Sequence, residues 1–174
     1  MSQSVLLDLA RDSIEEVLET SRMIDTLTLL EKYPILNTPN PLFITLICEK
    51  KVRGSSGSLR SKRPLIDDII YHAKVAAFED ENFSPLRTSE YLHTTIELSL
   101  LSNLLHVEAT SFNELINKVD LEVQGICFSA SENEAIFLPQ HSISHEDLHE
   151  VYNRIKPLKI YTFDVESAHD KAIL

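Results

Sequence analysis

Glycine is scarce in this chain: three of 174 residues, with Gly54 and Gly57 falling together in the stretch "VRGSSGSLRSKR". Basic charge is also short, with sixteen Lys and Arg against twenty-seven Asp and Glu, for a net charge of −11. That balance argues against the broad basic face that non-specific nucleic-acid binding requires. No apolar run approaches the roughly 20 residues of a membrane span. The opening "MSQSVLLDLARDSIEEVLET" lacks the basic leader and apolar core of a signal peptide, so a soluble, cytoplasmic protein is expected. Two cysteines, Cys48 and Cys127, lie in apolar strand-like runs, where free thiols act as small core hydrophobes. There are no repeats, no low-complexity segments and no linker long enough to separate a pair of domains.

What remains is an ordinary globular composition, 43% apolar, enough for one core in a domain of this length. Val5, Leu6, Leu9, Ile14, Val17 and Leu18 recur at helical spacing, with Asp12, Glu15, Glu16 and Glu19 opposite. Met23, Ile24, Leu27 and Leu30 extend a helical pattern up to Pro34, and "YPILNTPNP" reads as a connector. "LFITLICEK" reads as a buried strand running into a glycine loop. Pro64, at the first helical position, opens a helix expected to end near Phe78. "YLHTTIELSLLS" alternates as a strand, "SFNELINKV" is a short capped helix, and "GICFSA" and "NEAIFLPQ" form an antiparallel pair. Ser144 and Asp147 start the helix "HEDLHEVYNRI", and "LKIYTFDVE" supplies a last strand. Strands without regular helical crossovers predict an α+β fold with an antiparallel or mixed sheet.

Six of the sixteen basic residues (Lys50, Lys51, Arg53, Arg60, Lys62, Arg63) crowd around the two glycines with no acidic residue among them. Strand, glycine turn and helix start, in that order, are expected to present free backbone N–H groups to an anion. Arg53, Gly54, Ser55, Ser56, Gly57, Ser58 and Arg63 are the candidate ligand-binding residues. A structural turn with a solvated basic rim is the competing explanation. "GSSGS" lacks the third glycine of GxGxxG, the Gly-Lys-Ser/Thr of a P-loop and the Gly-x-Ser-x-Gly of a nucleophile elbow. It shares Gly-x-x-Gly with nucleic-acid-clamping loops, but here that motif follows a strand.

The stretch from Val52 through "RPLIDDIIYHAKVAAFEDENFSPL", with "IELSLLS" and "FLPQ" beyond it, resembles the AMMECR domain family, component A of the AmmeMemoRadiSam system. Its Leu-Arg-Gly-Cys-Ile-Gly-Ser-Leu signature is matched at Arg53, Gly54, Gly57, Ser58 and Leu59. Arg63, Pro64, Leu65, Ala76, Ala77, Phe78, Phe83, Pro85 and Leu86 continue in family style, and Glu97, Ser99, Leu101 and Ser102 match its Glu-x-Ser-x-Leu-Ser strand. The resemblance spans about 43–140, and one domain over 1–174 is expected. It implies a two-lobed α+β domain with the glycine loop lining an inter-lobe cleft. The family name implies work beside a Memo-like protein and a radical S-adenosylmethionine enzyme.

The family's Cys-Ile is replaced by Ser55-Ser56, so loop binding is expected to survive and thiolate chemistry to be absent. No complete catalytic constellation is recognisable, and no cofactor is named. The first function class is an accessory component holding an anionic ligand or partner at the loop. The second is an enzyme using Ser55 or Glu97, the latter a strand carboxylate that burial would fit for acid–base work, with Arg53 as electrostatic stabiliser. A nucleic-acid module is third. His141, His145 and His149 recur every four residues, but without accompanying ligands they read as exposed side chains, and no metal set is assigned. His72 reads as core-adjacent or solvated.

Overall fold

A computed structural model describes residues 3–130, 133–141, 144–155 and 159–173. Helix α1 (Gln3–Leu18) forms where the apolar spacing predicts and buries Leu6, Leu9, Ala10 and Ile14. Helix α2 (Thr26–Lys32) begins later than Met23. Asp25 caps it by accepting the Thr28 N–H, which sets the helix start and leaves Met23 and Leu27 exposed. The connector is a 3₁₀ turn at Pro34–Asn37.

Strand β1 (Leu42–Cys48) pairs antiparallel with strand β2 (Lys51–Ser58) through the two-residue turn Glu49-Lys50. Both turn residues have positive φ, 50° and 65°, as a type I′ hairpin turn demands. The expected loop around the glycines is therefore a strand, and neither glycine has positive φ. Helix α3 (Leu65–Phe78) ends where expected, with Pro64 at its N-cap. Helix α4 (Thr88–Tyr91) leads into strand β3 (Thr94–Leu101). Strand β4 (Leu105–His106), helix α5 (Phe112–Lys118), strands β5 (Gln124–Ala130) and β6 (Asn133–Phe137), helix α6 (His145–Arg154) and strand β7 (Lys159–His169) complete the order.

The fold is mixed α+β, and its contacts divide the chain into two compact units. The first runs to Leu100 and resumes at Glu166; the second spans Leu101–Val165. In the first, β2, β1 and β3 lie side by side, all antiparallel. Alternation decides their faces. Leu42, Ile44 and Leu46 of β1 and Ile96 and Leu98 of β3 join the core made with α1 and α3. The residues between them point the other way. In the second unit β5 pairs with β6 and with the first half of β7. Leu115 of α5 and Leu148 and Val151 of α6 pack with Ile126, Phe128 and Ile160 of that sheet. Both helices start on the expected serine caps, Ser111 bonding the Glu114 N–H and Ser144 the Asp147 N–H. Cys127 is buried as expected and Cys48 half-buried, both as free thiols. Among the described residues, no helix is long and apolar enough to cross a membrane.

Candidate functional site

The glycines serve close approach rather than a turn. A β-carbon on Gly54 would lie 2.1 Å from the carbonyl oxygen of Ala76, so α3 packs directly on the β2 backbone. One on Gly57 would lie 2.4 Å from both the Leu42 carbonyl oxygen and the Phe43 ring. Between these positions, strand alternation sends neighbouring serines to opposite faces. Ser56 turns toward α3, and Ser55 turns away from it.

Arg53 sits in a β-bulge, since Leu46 pairs with Gly54 and Ile47 with Val52, leaving Arg53 as the extra residue. Its guanidinium binds Glu90 in a two-pronged ion pair at 2.9 and 3.2 Å and donates to the Ser84 carbonyl at 2.9 Å. Glu90 also accepts the Arg87 N–H. The bond from Arg53, followed by that from Arg87, holds the Glu90 carboxyl below its usual range. The Ser55 N–H is bound by Asp80 at 2.8 Å. Burial pushes Asp80 up, but the Asn82 and Ser55 N–H groups outweigh it, so its carboxyl stays ionised to lower pH than usual. Arg63 pairs with buried Asp68 at 2.6 Å. The expected cradle of free amides and mobile cations is thus altered. Arg53 and Arg63 hold carboxylates, the Ser55 amide is taken, and the Ser58 hydroxyl accepts from the Arg60 N–H. These bonds tie down an edge strand that would otherwise present unpaired amides.

The opposite face of the sheet brings the two catalytic candidates together. Thr45 of β1 pairs directly with Ser55 of β2 on one side and Glu97 of β3 on the other. Directly paired residues point to the same face, so Ser55, Thr45 and Glu97 form a row across three strands, about 10 Å from end to end at two strand spacings. The Thr45 and Ser55 hydroxyls are 3.3 Å apart. Glu97 is 8% exposed and Thr45 1%, so both sit largely out of water. Buried Ser99, two residues along β3, is 2.9 Å from the Ser167 hydroxyl. Sequence reasoning does not find Thr45 or Ser167. Strand register is what exposes Thr45, and it cannot be read before the hairpin turn is known.

His145 and His149 are exposed on α6, and the His149 ring meets Phe112 edge-on at 4.8 Å. Among the described residues no group of three or more His, Cys, Asp or Glu is arranged to hold a metal. His72 is core-adjacent: it is 5% exposed, with Nδ1 2.8 Å from the Ser56 hydroxyl.

The AMMECR1 family model matches residues 7–162. A protein of Caldivirga maquilingensis is 30% identical over 149 residues, covering 80% of this chain and 66% of its own length. One from Methanococcus aeolicus is 30% identical over 114 residues, covering 64% and 57%. The chain thus spans about two thirds of these relatives or less. The crystal structure of an uncharacterized protein from Pyrococcus horikoshii superposes with a TM-score of 0.83 at 24% identity, covering 97% of this chain and 91% of that one. It shares the fold.

Proposed function

Because this chain belongs to the AMMECR1 family, we propose that it is a binding component whose ligand sits on the Ser55–Thr45–Glu97 row, with Glu97 as its anchor. The observation that carries this is the register: one residue, Thr45, is the direct partner of both Ser55 and Glu97. A carboxylate with hydroxyls beside it, largely out of water, suits a small polar ligand that donates hydrogen bonds. Catalysis at this row would fall to Glu97 as acid or base. The Ser55 hydroxyl has Thr45 rather than a base beside it, so it is a weak nucleophile.

A second reading keeps the ligand anionic and places it at Arg53, whose buried Nη1 has no hydrogen-bond partner among the described residues. Partnership with Memo-like and radical S-adenosylmethionine proteins belongs to the same proposal, as does a cytoplasmic setting. Nucleic acid fits least, given the net charge of −11. Isothermal titration separates the two ligand readings. Binding at the row is lost in Glu97→Gln, reduced in Ser55→Ala and insensitive to salt. An anion at Arg53 is lost in Arg53→Ala and weakens as salt rises.

A further inference from the structure

We propose that Ser56 is a reactive hydroxyl, a nucleophile served by His72 as its base, able to accept an acyl group from an activated ester. It lies on the α3 side of β2, opposite the Ser55–Thr45–Glu97 row, and does not depend on that site. Ser56 stands where the related signature carries isoleucine. Here the strand hydroxyl meets a histidine from the facing helix, with Oγ 2.8 Å from Nδ1, inside the reach at which an imidazole takes a hydroxyl proton.

Three further features favour this role over a plain core hydrogen bond. First, His72 is 5% exposed while Ser56 is only half-buried, so the base is the more shielded of the two. Second, the Tyr71 ring lies edge-on to His72 at 5.0 Å and borders it; in the reactive tautomer the ring proton sits on Nε2, which is buried and makes no hydrogen bond among the described residues. Third, burial holds the imidazole below its ordinary pKa, keeping it neutral and able to accept a proton at pH 7. Asp68, one helical turn earlier and buried, favours the imidazolium that forms. Arg63, paired with Asp68, opposes it.

The step balances without a cofactor. The Ser56 oxygen forms a bond to the ester carbonyl carbon while its proton passes to His72 Nδ1. Collapse of the tetrahedral adduct breaks the bond to the leaving oxygen or sulfur, which takes that proton back. The products are acyl-Ser56 and a free alcohol or thiol, and water can release the acid by the same route in reverse.

The test is labelling of the full chain with a fluorophosphonate, read by intact mass and peptide mapping, with p-nitrophenyl acetate as a second probe. One adduct at Ser56 is expected, absent in Ser56→Ala and formed about 100-fold more slowly in His72→Gln. The wild-type labelling rate should fall at acid pH as the imidazole protonates, a readout that needs no variant and so survives misfolding of His72→Gln. No adduct, an adduct at any other residue, or a Ser56 adduct whose rate ignores both pH and His72→Gln would overturn the proposal.

Discussion

Gly54 and Ala76 are packed backbone to backbone: a single β-carbon added to Gly54 would stand 2.1 Å from the Ala76 carbonyl oxygen. Helix α3 can relieve that only by lifting off β2, and with it the contacts of Ile69, Ala73 and Ala77 in the core. Gly54→Ala should destabilise the fold by about 1–3 kcal/mol, as overpacking does. For a domain this size that is a fall in Tm of roughly 2–12 °C, measurable by differential scanning calorimetry. An unchanged Tm would mean the helix sits farther from the strand.

Glu49 and Lys50 make the opposite case. Both hold positive φ, in a turn that Asn-Gly fills without strain. The double replacement Glu49→Asn, Lys50→Gly should raise stability by about 1–2 kcal/mol, the scale of the left-handed penalty for ordinary residues. Urea denaturation checks this, and a lowered midpoint would contradict the turn assignment.

These two positions also show what the sequence could and could not disclose. Helical spacing located α1, α3 and α6, and Ser111 and Ser144 marked the starts of α5 and α6, because periodicity and caps are local signals. The Glu49-Lys50 turn left no such trace, since neither residue is one that turns prefer. Without it, β2 reads as a loop and Gly54 as a residue needing unusual φ. The pairing of Thr45 with Ser55 and Glu97 then stays hidden, although both end members are already candidates. Long-range partners such as Glu90 for Arg53 and His72 for Ser56 depend on the fold, which is why a basic patch in the sequence becomes a set of ion pairs in space.

Arg53 and Glu90 share two hydrogen bonds that a lysine cannot reproduce. Arg53→Ala and Arg53→Lys should both lower stability, and a double-mutant cycle with Glu90→Gln should return a coupling of about 1 kcal/mol, moderated by the partial exposure of Glu90. A coupling near zero would free Arg53 for ligand.

His72 is held neutral by burial, with its pKa below the ordinary imidazole value. The unfolded chain therefore binds a proton at about pH 6.5 that the folded chain resists. Stability should be full above that pH and decline as pH falls through the window between the unfolded and the lower folded pKa. In His72→Gln that component of the pH dependence should vanish. Denaturation midpoints from pH 5 to 8 test it, and equal slopes for wild type and variant would refute it.

Ligand binding at the face bearing Ser55, Thr45 and Glu97 is read by a thermal-shift panel of polar metabolites against wild type, Glu97→Gln, Ser55→Ala and Arg53→Ala. A ligand of this face should stabilise wild type by about 2.7 kcal/mol at 100 times its Kd. That shift should be lost in Glu97→Gln, reduced in Ser55→Ala and kept in Arg53→Ala relative to each unliganded protein. A ligand whose shift survives in both Glu97→Gln and Ser55→Ala but disappears in Arg53→Ala would contradict it and return the site to the arginine.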